Sequence, residues 1–451
     1  MKKQTQKRLI ISFITVFLLS LFVTQFNTVQ AESSALDINA ESAILIDANT
    51  GKILYEKNAD FAAPIASMTK MMTEYLVLEA IDEGRISWDT KHQISQYSWT
   101  ISANKNFSGV GLRLDHDYTV RELYEAMAIY SDNGTTIALA ELLAGSEGEF
   151  VKMMNKKAEE LGLQDYKFVN STGLSNKSLG ENYPEGTSPD GDNIVSARSV
   201  ATLAYSLIRD YPEALEISSI PTKEFYGETL LNWNWMLKHD PVESPNLVPY
   251  YYEGMDGLKT GVTPEAGYCF TGTAERNGMR LISVVMKTAS EPERFKETRK
   301  LLDYGFNNFE QVEIYPEGYQ LKGNKKLDVV KGKEKEVEIK TNAPVKLLVK
   351  RGTDKSEYKA SYVYDEKVVS KDKELTAPFK KGTKVGYMSV SYESGEDLGY
   401  IQSSKDNSLK IDLVTESGVE KTNWFVLMMR GIGGFFGDIW SSVADTVKGW
   451  F

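Results

Sequence analysis

A serine and a lysine three residues apart, Ser67 and Lys70, could together form an activated nucleophile. Apolar residues follow them at helical spacing, and side chains three positions apart share one face of a helix. A serine hydroxyl is a poor nucleophile without an adjacent base, and lysine can be that base when burial and neighbouring cations lower its pKa. The S-x-x-K pattern recurs at Ser102, Ser356 and Ser370, but only Ser67 opens a clearly apolar helix. An ordinary helix N-cap serine is the alternative interpretation.

A second polar motif, Ser131-Asp132-Asn133, interrupts a helical pattern. Its serine hydroxyl can relay a proton, and its asparagine amide can hold both a lysine and a substrate carbonyl. A polar turn between two helices would look the same. The rival pattern at Ser102 follows Ser67 too closely and is predicted to lie in a loop.

A third motif, Lys259-Thr260-Gly261, falls within a predicted strand. The lysine supplies positive charge, the threonine hydroxyl can bind a carboxylate, and the glycine lets a substrate backbone approach closely. A strand edge with a bulge is the alternative. Each motif is weak alone, but their joint occurrence in this order and in suitable contexts strongly indicates one active site.

The elements that must position these motifs can be predicted from hydrophobic spacing and turn residues. Thr119 and Glu122 form a capping box for one helix, and Asn277-Gly278 is a strong hairpin turn between two late strands. A strand near the start and strands near the end, with helices between them, indicate an α/β domain with an antiparallel sheet. The predicted strands are 42–47, 52–57, 258–262, 268–274 and 279–286, and the predicted helices include 120–130, 135–145, 150–161, 196–207 and 293–304.

The three motifs resemble the signature of penicillin-binding proteins and class A β-lactamases. The finer match is to low-molecular-mass D-alanyl-D-alanine carboxypeptidases. It rests on the segments 43–47, 64–71, 170–174 and 256–261 and extends over almost the whole mature chain. The resemblance implies a transpeptidase-like α/β domain, an antiparallel sheet flanked by helices, followed by a small all-β sandwich domain and a C-terminal amphipathic helix.

The resemblance also implies a role for each motif residue and a set of ligands. Peptidoglycan stem peptides ending in D-Ala-D-Ala would be substrates, β-lactam antibiotics would acylate the serine, and neither a metal nor another cofactor would be needed. The implied catalytic roles are Ser67 as nucleophile, Lys70 as general base, and Ser131 and Lys259 in passing the proton to the leaving group. The implied substrate-binding residues are Asn133, Lys259, Thr260 and Gly261, and the backbone N–H groups of Ser67 and Val262 would form the oxyanion hole.

Four segments are predicted along the chain: a signal peptide at 1–31, a catalytic domain at 32–308, a β-sandwich domain at 309–417, and an amphipathic membrane-anchor helix at 418–451. The first has basic residues, an apolar run and a small-x-Ala cleavage site ending at Ala31. An uncleaved N-terminal anchor is the alternative, and either interpretation places the remainder outside the cytoplasm. In the last, apolar residues from Trp424 to Trp450 recur at three- or four-residue spacing opposite a charged face, as in helices that lie on a membrane surface. A helix docked on the protein is the alternative.

Composition restricts the function further. The net charge of −11 gives no electrostatic support for nucleic-acid binding. The single cysteine, Cys269, permits no intramolecular disulfide, and its β-like surroundings predict a small buried hydrophobe rather than a nucleophile. Two rival functions stay open: a β-lactamase, with Glu228 in an E-x-x-L-N pattern as its deacylation base, and a non-enzymatic cell-surface binding protein.

Overall fold

A computed structural model describes residues 36–392, 398–401, 409–424, 426 and 428. The predicted signal peptide and most of the predicted anchor helix lie outside these residues. Of the anchor, Trp424, Val426 and Met428 are described as helical, with Trp424 and Met428 exposed. Within the described part of the chain, no helix is both long and apolar enough to cross a bilayer.

The first part of the structure combines helices with short and long strands. The helices are α1 (Lys70–Asp82), α2 (Gln96–Ser102), α3 (Val120–Tyr130), α4 (Asn133–Ala144), α5 (Glu147–Glu160), α6 (Asn176–Leu179), α7 (Ala197–Asp210), α8 (Ala214–Ser218) and α9 (Glu291–Asn308). The strands are β1 (Ser42–Asp47), β2 (Ile53–Lys57), β3 (Ala62–Pro64), β4 (Lys91–Gln93), β5 (Asp117–Thr119), β6 (Tyr166–Lys167), β7 (Ile194–Ser196), β8 (Thr222–Phe225), β9 (Glu228–Leu231), β10 (Met255–Thr263), β11 (Gly267–Arg276) and β12 (Met279–Thr288).

Five of these strands form an antiparallel sheet in the order β10-β11-β12-β1-β2. Alternate residues of a strand point to opposite faces of a sheet. All six residues of β1 are buried, so the sheet is covered on both faces. Ile44 and Ile46 join the large core shared with the helices, whereas Leu45 packs against Gly305 of α9. The predicted antiparallel sheet with flanking helices is therefore confirmed.

Helix α1 lies in the middle of the helical layer and is buried along most of its length. Met71, Met72 and Leu76 contribute to the same core as residues of α3, α4, α5 and α7. A helix that is buried on all sides belongs to a protein interior, so every polar side chain on it needs a partner. Three buried polar residues of α1, Lys70, Thr73 and Glu74, lie at the site described below.

Three helices start two or three residues earlier than the sequence pattern predicted. Helix α5 begins at Glu147, where the Ser146 hydroxyl accepts from the Glu149 N–H at 3.2 Å, rather than at residue 150. Helix α4 begins at Asn133 rather than Thr135, because the Asp132 carboxylate caps it by accepting from the Thr135 N–H at 2.5 Å. Helix α9 begins at Glu291, where the Ser290 hydroxyl accepts from the Glu293 N–H at 3.3 Å. The predicted capping box of α3 is present as expected.

The second part of the structure is built from strands. These strands are β13 (Phe309–Tyr315), β14 (Lys326–Val330), β15 (Glu336–Thr341), β16 (Val345–Lys350), β17 (Tyr358–Tyr364), β18 (Glu374–Thr376), β19 (Lys384–Tyr392) and β20 (Leu409–Thr415). A six-stranded sheet has the order β17-β19-β20-β15-β14-β18, and β13 pairs with β16 in a two-stranded sheet. Residues of β13 and β16 pack against residues of β17 and β19 in one apolar cluster, which agrees with the predicted all-β domain.

Candidate active site

The turn that carries Ser67 is fixed by close backbone contacts on two sides. Ser67 lies in a 3-10 helix, Ala66–Thr69, that leads into α1, and Ala66 before it has a positive φ of 48°. A methyl group on Gly173 would lie 1.9 Å from the Ala66 carbonyl oxygen, and one on Gly261 would lie 2.6 Å from the Ile65 oxygen. Because neither glycine has a side chain, the segments that carry Gly173 and Gly261 can pack directly against this turn. These contacts stabilise the unfavourable positive φ of Ala66.

The amine of Lys70 lies between three oxygen atoms. It is 3.0 Å from Ser67 Oγ, 2.8 Å from Asn133 Oδ1 and 2.9 Å from the Thr172 carbonyl oxygen. Lys70 is fully buried, and burial, with the nearby charge of Lys259, lowers its pKa well below the ordinary value. Both effects favour the neutral amine, which is the form that can accept a proton from the Ser67 hydroxyl.

A buried carboxylate supports the Thr172 side of this site. Glu147 accepts hydrogen bonds from the Ser171 N–H at 2.8 Å and from the Ser171 hydroxyl at 2.6 Å. Asn170 accepts from the Gly173 N–H at 2.7 Å, and Thr73 of α1 donates to the Ser171 carbonyl oxygen at 3.1 Å. Hydrogen bonds therefore hold the segment 170–173 in place where it meets Ser67 and Lys70.

The second motif forms the junction between α3 and α4. Ser131 has a left-handed conformation, with φ of 64°, and its hydroxyl is buried without a hydrogen-bond partner in the described structure. Asp132 anchors the junction by accepting from Ser102 Oγ at 3.0 Å and from the Val110 N–H at 2.6 Å. Asn133 donates to the Ser108 carbonyl oxygen at 3.1 Å. The rival serine, Ser102, thus supports the motif instead of replacing it.

The third motif lies on β10, at the edge of the sheet. Lys259 is buried, and desolvation lowers its pKa to about 8, although the carboxylate of Glu74 opposes that shift. Glu74 is on α1, one turn after Lys70, and accepts from the Tyr124 hydroxyl at 3.2 Å. Burial raises the pKa of Glu74, and the two lysines act in the opposite direction. The site therefore has two buried amines that share one buried carboxylate as a neighbour.

These residues surround one open cavity of about 330 Å³. Ser67, Ser131, Asn133 and Thr260 line it, together with residues that the motifs did not indicate. Its lining also includes Gly261, Val262, Trp233, Glu291 and Arg294. The structure thus brings the predicted site residues into a single site around Ser67, with Lys70 and Lys259 just beneath it.

Arg294 is the main functional residue that sequence reasoning missed. Its side chain is almost fully buried on α9, yet it lines the cavity near Thr260. Burial lowers its pKa to about 10, so it remains a cation at neutral pH. The one available signal was its position on the buried face of α9, in line with Thr298 and Leu301. An arginine at such a position needs a special environment.

Trp233 also lines the cavity and was not predicted from the sequence, and it is hydrogen-bonded to the residue that precedes the second motif. Its indole N–H donates to the Tyr130 carbonyl oxygen at 2.8 Å, directly before Ser131. In the sequence, Trp233 belongs to an irregular segment without periodicity, so no pattern indicated this contact.

Two residues considered from the sequence lie outside the cavity. Glu228 is exposed on β9 and is not among the residues that line the site. Cys269 is buried in β11, and burial raises its pKa to about 11, which disfavours the reactive thiolate. Neither has the position or the protonation state that a catalytic group at this site requires.

A buried amine beside a serine, a polar junction opposite it and a cationic strand edge together define an active-serine acyl-transfer enzyme. Residues 27–290 match the peptidase S11 family, described as D-alanyl-D-alanine carboxypeptidase. Residues 309–421 match the C-terminal domain of penicillin-binding protein 5. The chain belongs to the peptidase S11 family and is a serine-type D-alanyl-D-alanine carboxypeptidase, which confirms the resemblance seen in the motifs.

Individual relatives agree with this assignment. The D-alanyl-D-alanine carboxypeptidase DacF of Bacillus subtilis is 35% identical over 81% of this chain and 85% of its own. The crystal structure of a peptidoglycan synthesis regulatory factor (PBP3) from Streptococcus pneumoniae is 37% identical, covers 85% of this chain and 100% of its own, and has a TM-score of 0.72. Penicillin-binding protein D2 of Listeria monocytogenes, in its cefotaxime-bound form, is 35% identical over 60% of this chain and 98% of its own, with a TM-score of 0.51.

Proposed function

We propose that this enzyme removes the terminal D-alanine from peptidoglycan stem pentapeptides through an acyl-enzyme formed on Ser67. The observation that carries the proposal is the position of the buried Lys70 amine, 3.0 Å from Ser67 Oγ, at the base of a cavity that Arg294 lines. A peptide that ends in a carboxylate suits such a cavity, because buried cations favour an anionic terminus.

In the acylation step, Ser67 Oγ attacks the carbonyl carbon of the penultimate D-alanine, and Lys70 Nζ accepts the hydroxyl proton. The backbone N–H groups of Ser67 and Val262 stabilise the oxyanion. Ser67 is in the first turn of its helix, where N–H groups have no partner within the helix. The carbon–nitrogen bond then breaks, and the leaving D-alanine amine receives the proton through Ser131, assisted by the positive charge of Lys259.

Substrate orientation depends on the walls of the cavity. Thr260 and Arg294 receive the terminal carboxylate, and the Asn133 amide holds the substrate backbone while it also accepts from Lys70. Gly261 lets β10 pack close to the turn that bears Ser67, because a larger residue would meet the Ile65 carbonyl oxygen, and this packing holds the substrate-binding edge of β10 beside the nucleophile. Arginine suits this task because it pairs with a carboxylate through two parallel N–H donors.

Deacylation returns the enzyme to its starting state. After D-alanine leaves, a water molecule takes its place, and Lys70 removes a proton from that water as it attacks the ester carbon. The products are the shortened peptide acid and free Ser67. The same ester could also pass to an amine, so hydrolysis and transpeptidation differ only in the acceptor.

We propose that β-lactam antibiotics acylate Ser67 and form a long-lived adduct. The amine released by opening of the β-lactam ring stays attached to the acyl group and blocks the approach of water. A β-lactamase needs a second base to overcome that block, and Glu228, the one candidate from the sequence, is exposed on β9 away from the cavity lining. The site therefore favours a carboxypeptidase over a β-lactamase.

Mass spectrometry of a D-Ala-D-Ala pentapeptide incubated with the mature enzyme tests the proposed reaction. Catalytic loss of one alanine residue supports it, and an unchanged peptide contradicts it in favour of a binding protein. Intact-mass spectra after penicillin washout test the adduct. Loss of the adduct within seconds would make the β-lactamase function the better account.

We also propose the domain limits and location that the sequence suggested: signal peptide 1–31, catalytic domain 32–308, β-sandwich domain 309–417 and membrane-anchor helix 418–451. The direct continuation of α9 into β13 at Phe309 and the family match that begins at residue 309 support the limit between the two domains. That match runs to residue 421 and Val419 is buried in the β-rich core, so the last segment begins with residues of the β-rich domain and becomes helical only at Trp424. In this arrangement, the enzyme is exported and held at the outer face of the cell membrane by the amphipathic helix.

A further inference from the structure

A carboxylate and a guanidinium of the same helix face the active-site cavity together. Glu291 and Arg294 are one turn apart at the start of α9, and both line the cavity. Glu291 Oε1 accepts from Arg294 Nη2 at 2.5 Å. The Arg294 side chain is 1% exposed and the Glu291 side chain is 29% exposed, so the pair is a buried cation beside a carboxylate that solvent and ligand can reach.

The other contacts of Arg294 are weaker. Its Nη1 atom lies 3.4 Å from the Gly261 carbonyl oxygen, and its Nε atom is buried without a hydrogen-bond partner among the described residues. The guanidinium carbon lies 4.8 Å from the ring centroid of Phe295 and 5.9 Å from that of Tyr268. Glu291 is therefore the strongest partner of this cation in the free enzyme.

A resident carboxylate at this point affects any anion that enters the cavity. Part of the positive charge of Arg294 is already neutralised, and an incoming carboxylate meets a like charge nearby. Like charges close together at a binding site oppose association, and the low dielectric of a partly buried site strengthens the effect. A substrate whose terminus is neutral is not subject to this penalty.

We propose that Glu291 determines specificity by limiting how strongly Arg294 selects a substrate with a free terminal carboxylate. The inference rests on the proposed role of Arg294 in binding that carboxylate. Glu291 itself acts through Arg294 and not on the reacting atoms. Its effect is to reduce the difference in kcat/KM between substrates that end in a carboxylate and those whose terminus is amidated or extended.

The test compares two peptides that differ only in a C-terminal carboxylate or amide, using the full enzyme and its Glu291→Gln variant. The measured quantity is the ratio of kcat/KM for the carboxylate peptide to that for the amide peptide. We expect this ratio to rise on the order of tenfold, mainly through a lower KM for the carboxylate peptide. The gain should shrink as salt concentration rises, because it is electrostatic.

Glu293→Gln is the matched control. Glu293 lies in the same first turn of α9 and pairs with Lys296 at 3.4 Å, but it does not line the cavity. Its replacement removes the same charge from the same helix end, so the ratio should stay at the wild-type value. Thermal unfolding of all variants shows whether they fold, and Glu291→Ser provides a second neutral variant at a helix start that tolerates serine.

Arg294→Gln separates failure of this inference from failure of the proposed role of Arg294. If its carboxylate-to-amide ratio equals that of the wild type, Arg294 does not select the carboxylate and that role is wrong, whereas the carboxypeptidase reaction is tested separately by the pentapeptide assay. If Arg294→Gln collapses the ratio but both neutral Glu291 variants leave it unchanged or lower it, only the role of Glu291 is overturned. A rise confined to the Glu291 variants supports it.

Discussion

The Lys70 amine donates to the Asn133 side-chain oxygen at 2.8 Å and thereby joins two motifs that are 63 positions apart in the chain. The Thr172 carbonyl oxygen, at 2.9 Å, can also only accept. A neutral amine has two hydrogens and one lone pair, so these two acceptors take both hydrogens. The lone pair is left for the Ser67 hydroxyl, which is the arrangement that removal of its proton requires.

Replacement of Ser67 by alanine should abolish peptide hydrolysis and covalent labelling by penicillin while leaving the fold intact, because the acyl group would have no oxygen to attach to. Fluorescent-penicillin labelling and peptide assays measure both effects. Cys269→Ala is the contrasting variant, since its thiol is buried in β11. Labelling that persists in the Ser67 variant and disappears in the Cys269 variant would show that the Cys269 thiol is the nucleophile.

The pH profile of kcat/KM should be bell-shaped. Lys70 must be neutral to act as a base, so activity is lost as the pH falls through its lowered pKa. Lys259 must be charged, so activity is also lost as the pH rises through its pKa of about 8. A profile that stays flat across this range would contradict these protonation states.

Glu74→Gln should move both limbs of that profile to lower pH. The Glu74 carboxylate raises the pKa of Lys70 and of Lys259, so its removal lowers both. Glu147→Gln is the contrasting variant. Glu147 raises the pKa of Lys70 but is not among the charges that shift the pKa of Lys259, so its replacement should move only the acidic limb. If Glu74→Gln shifts neither limb, the buried carboxylate does not control the protonation of the two amines.

Gly173→Ala should disturb the turn that bears Ser67. Gly173 has φ of 85°, and the added methyl group would lie 1.9 Å from the Ala66 carbonyl oxygen. We expect penicillin acylation to slow at least about tenfold and stability to fall by about 1–3 kcal/mol. Gly145→Ala is the control, because Gly145 has φ of 79° with nothing within 4 Å of the added methyl group. It should lose about 1 kcal/mol of stability and keep its acylation rate.

Deletion of residues 424–451 should release the enzyme from membranes without loss of activity on a soluble peptide. The cut retains Thr422, whose N–H donates to the Lys331 carbonyl oxygen at 2.9 Å, so the β-rich domain keeps this contact. Membrane flotation and a peptide assay measure the two properties. Continued flotation of the truncated enzyme, or a large loss of activity on the peptide, would show that the tail is not a separable anchor.

The sequence was most informative where chemistry depends on neighbours along the chain. Ser67 and Lys70 are three residues apart on one helix, so their proximity follows from helical spacing. The convergence of the other two motifs on that helix was indicated by their joint occurrence and by the resemblance, but not by any local pattern. Arg294 and Glu74 are brought to the site by packing of α9 and α1, and no local pattern encodes which charges that packing places together.

Local structure was predicted least well where side chains of distant segments determine the backbone. The positive φ of Ala66 would be unfavourable in an isolated peptide and depends on the approach of Gly173 and Gly261. The early start of α4 is an exception, because it depends on a local contact, the Asp132 cap, which hydrophobic spacing alone does not indicate.

Lys259 and Arg294 are buried cations beneath and beside one cavity, and Lys70 is a buried amine next to them; burial lowers the pKa of each. Such a group opposes folding of the empty enzyme, because the two cations lose hydration and repel each other and Lys70 must give up its proton. The enzyme thus gives up part of its thermodynamic stability for reactivity, a compromise common at active sites. An anionic ligand held in the cavity offsets this cost, so a rise in melting temperature would report its arrival even when no bond is cleaved.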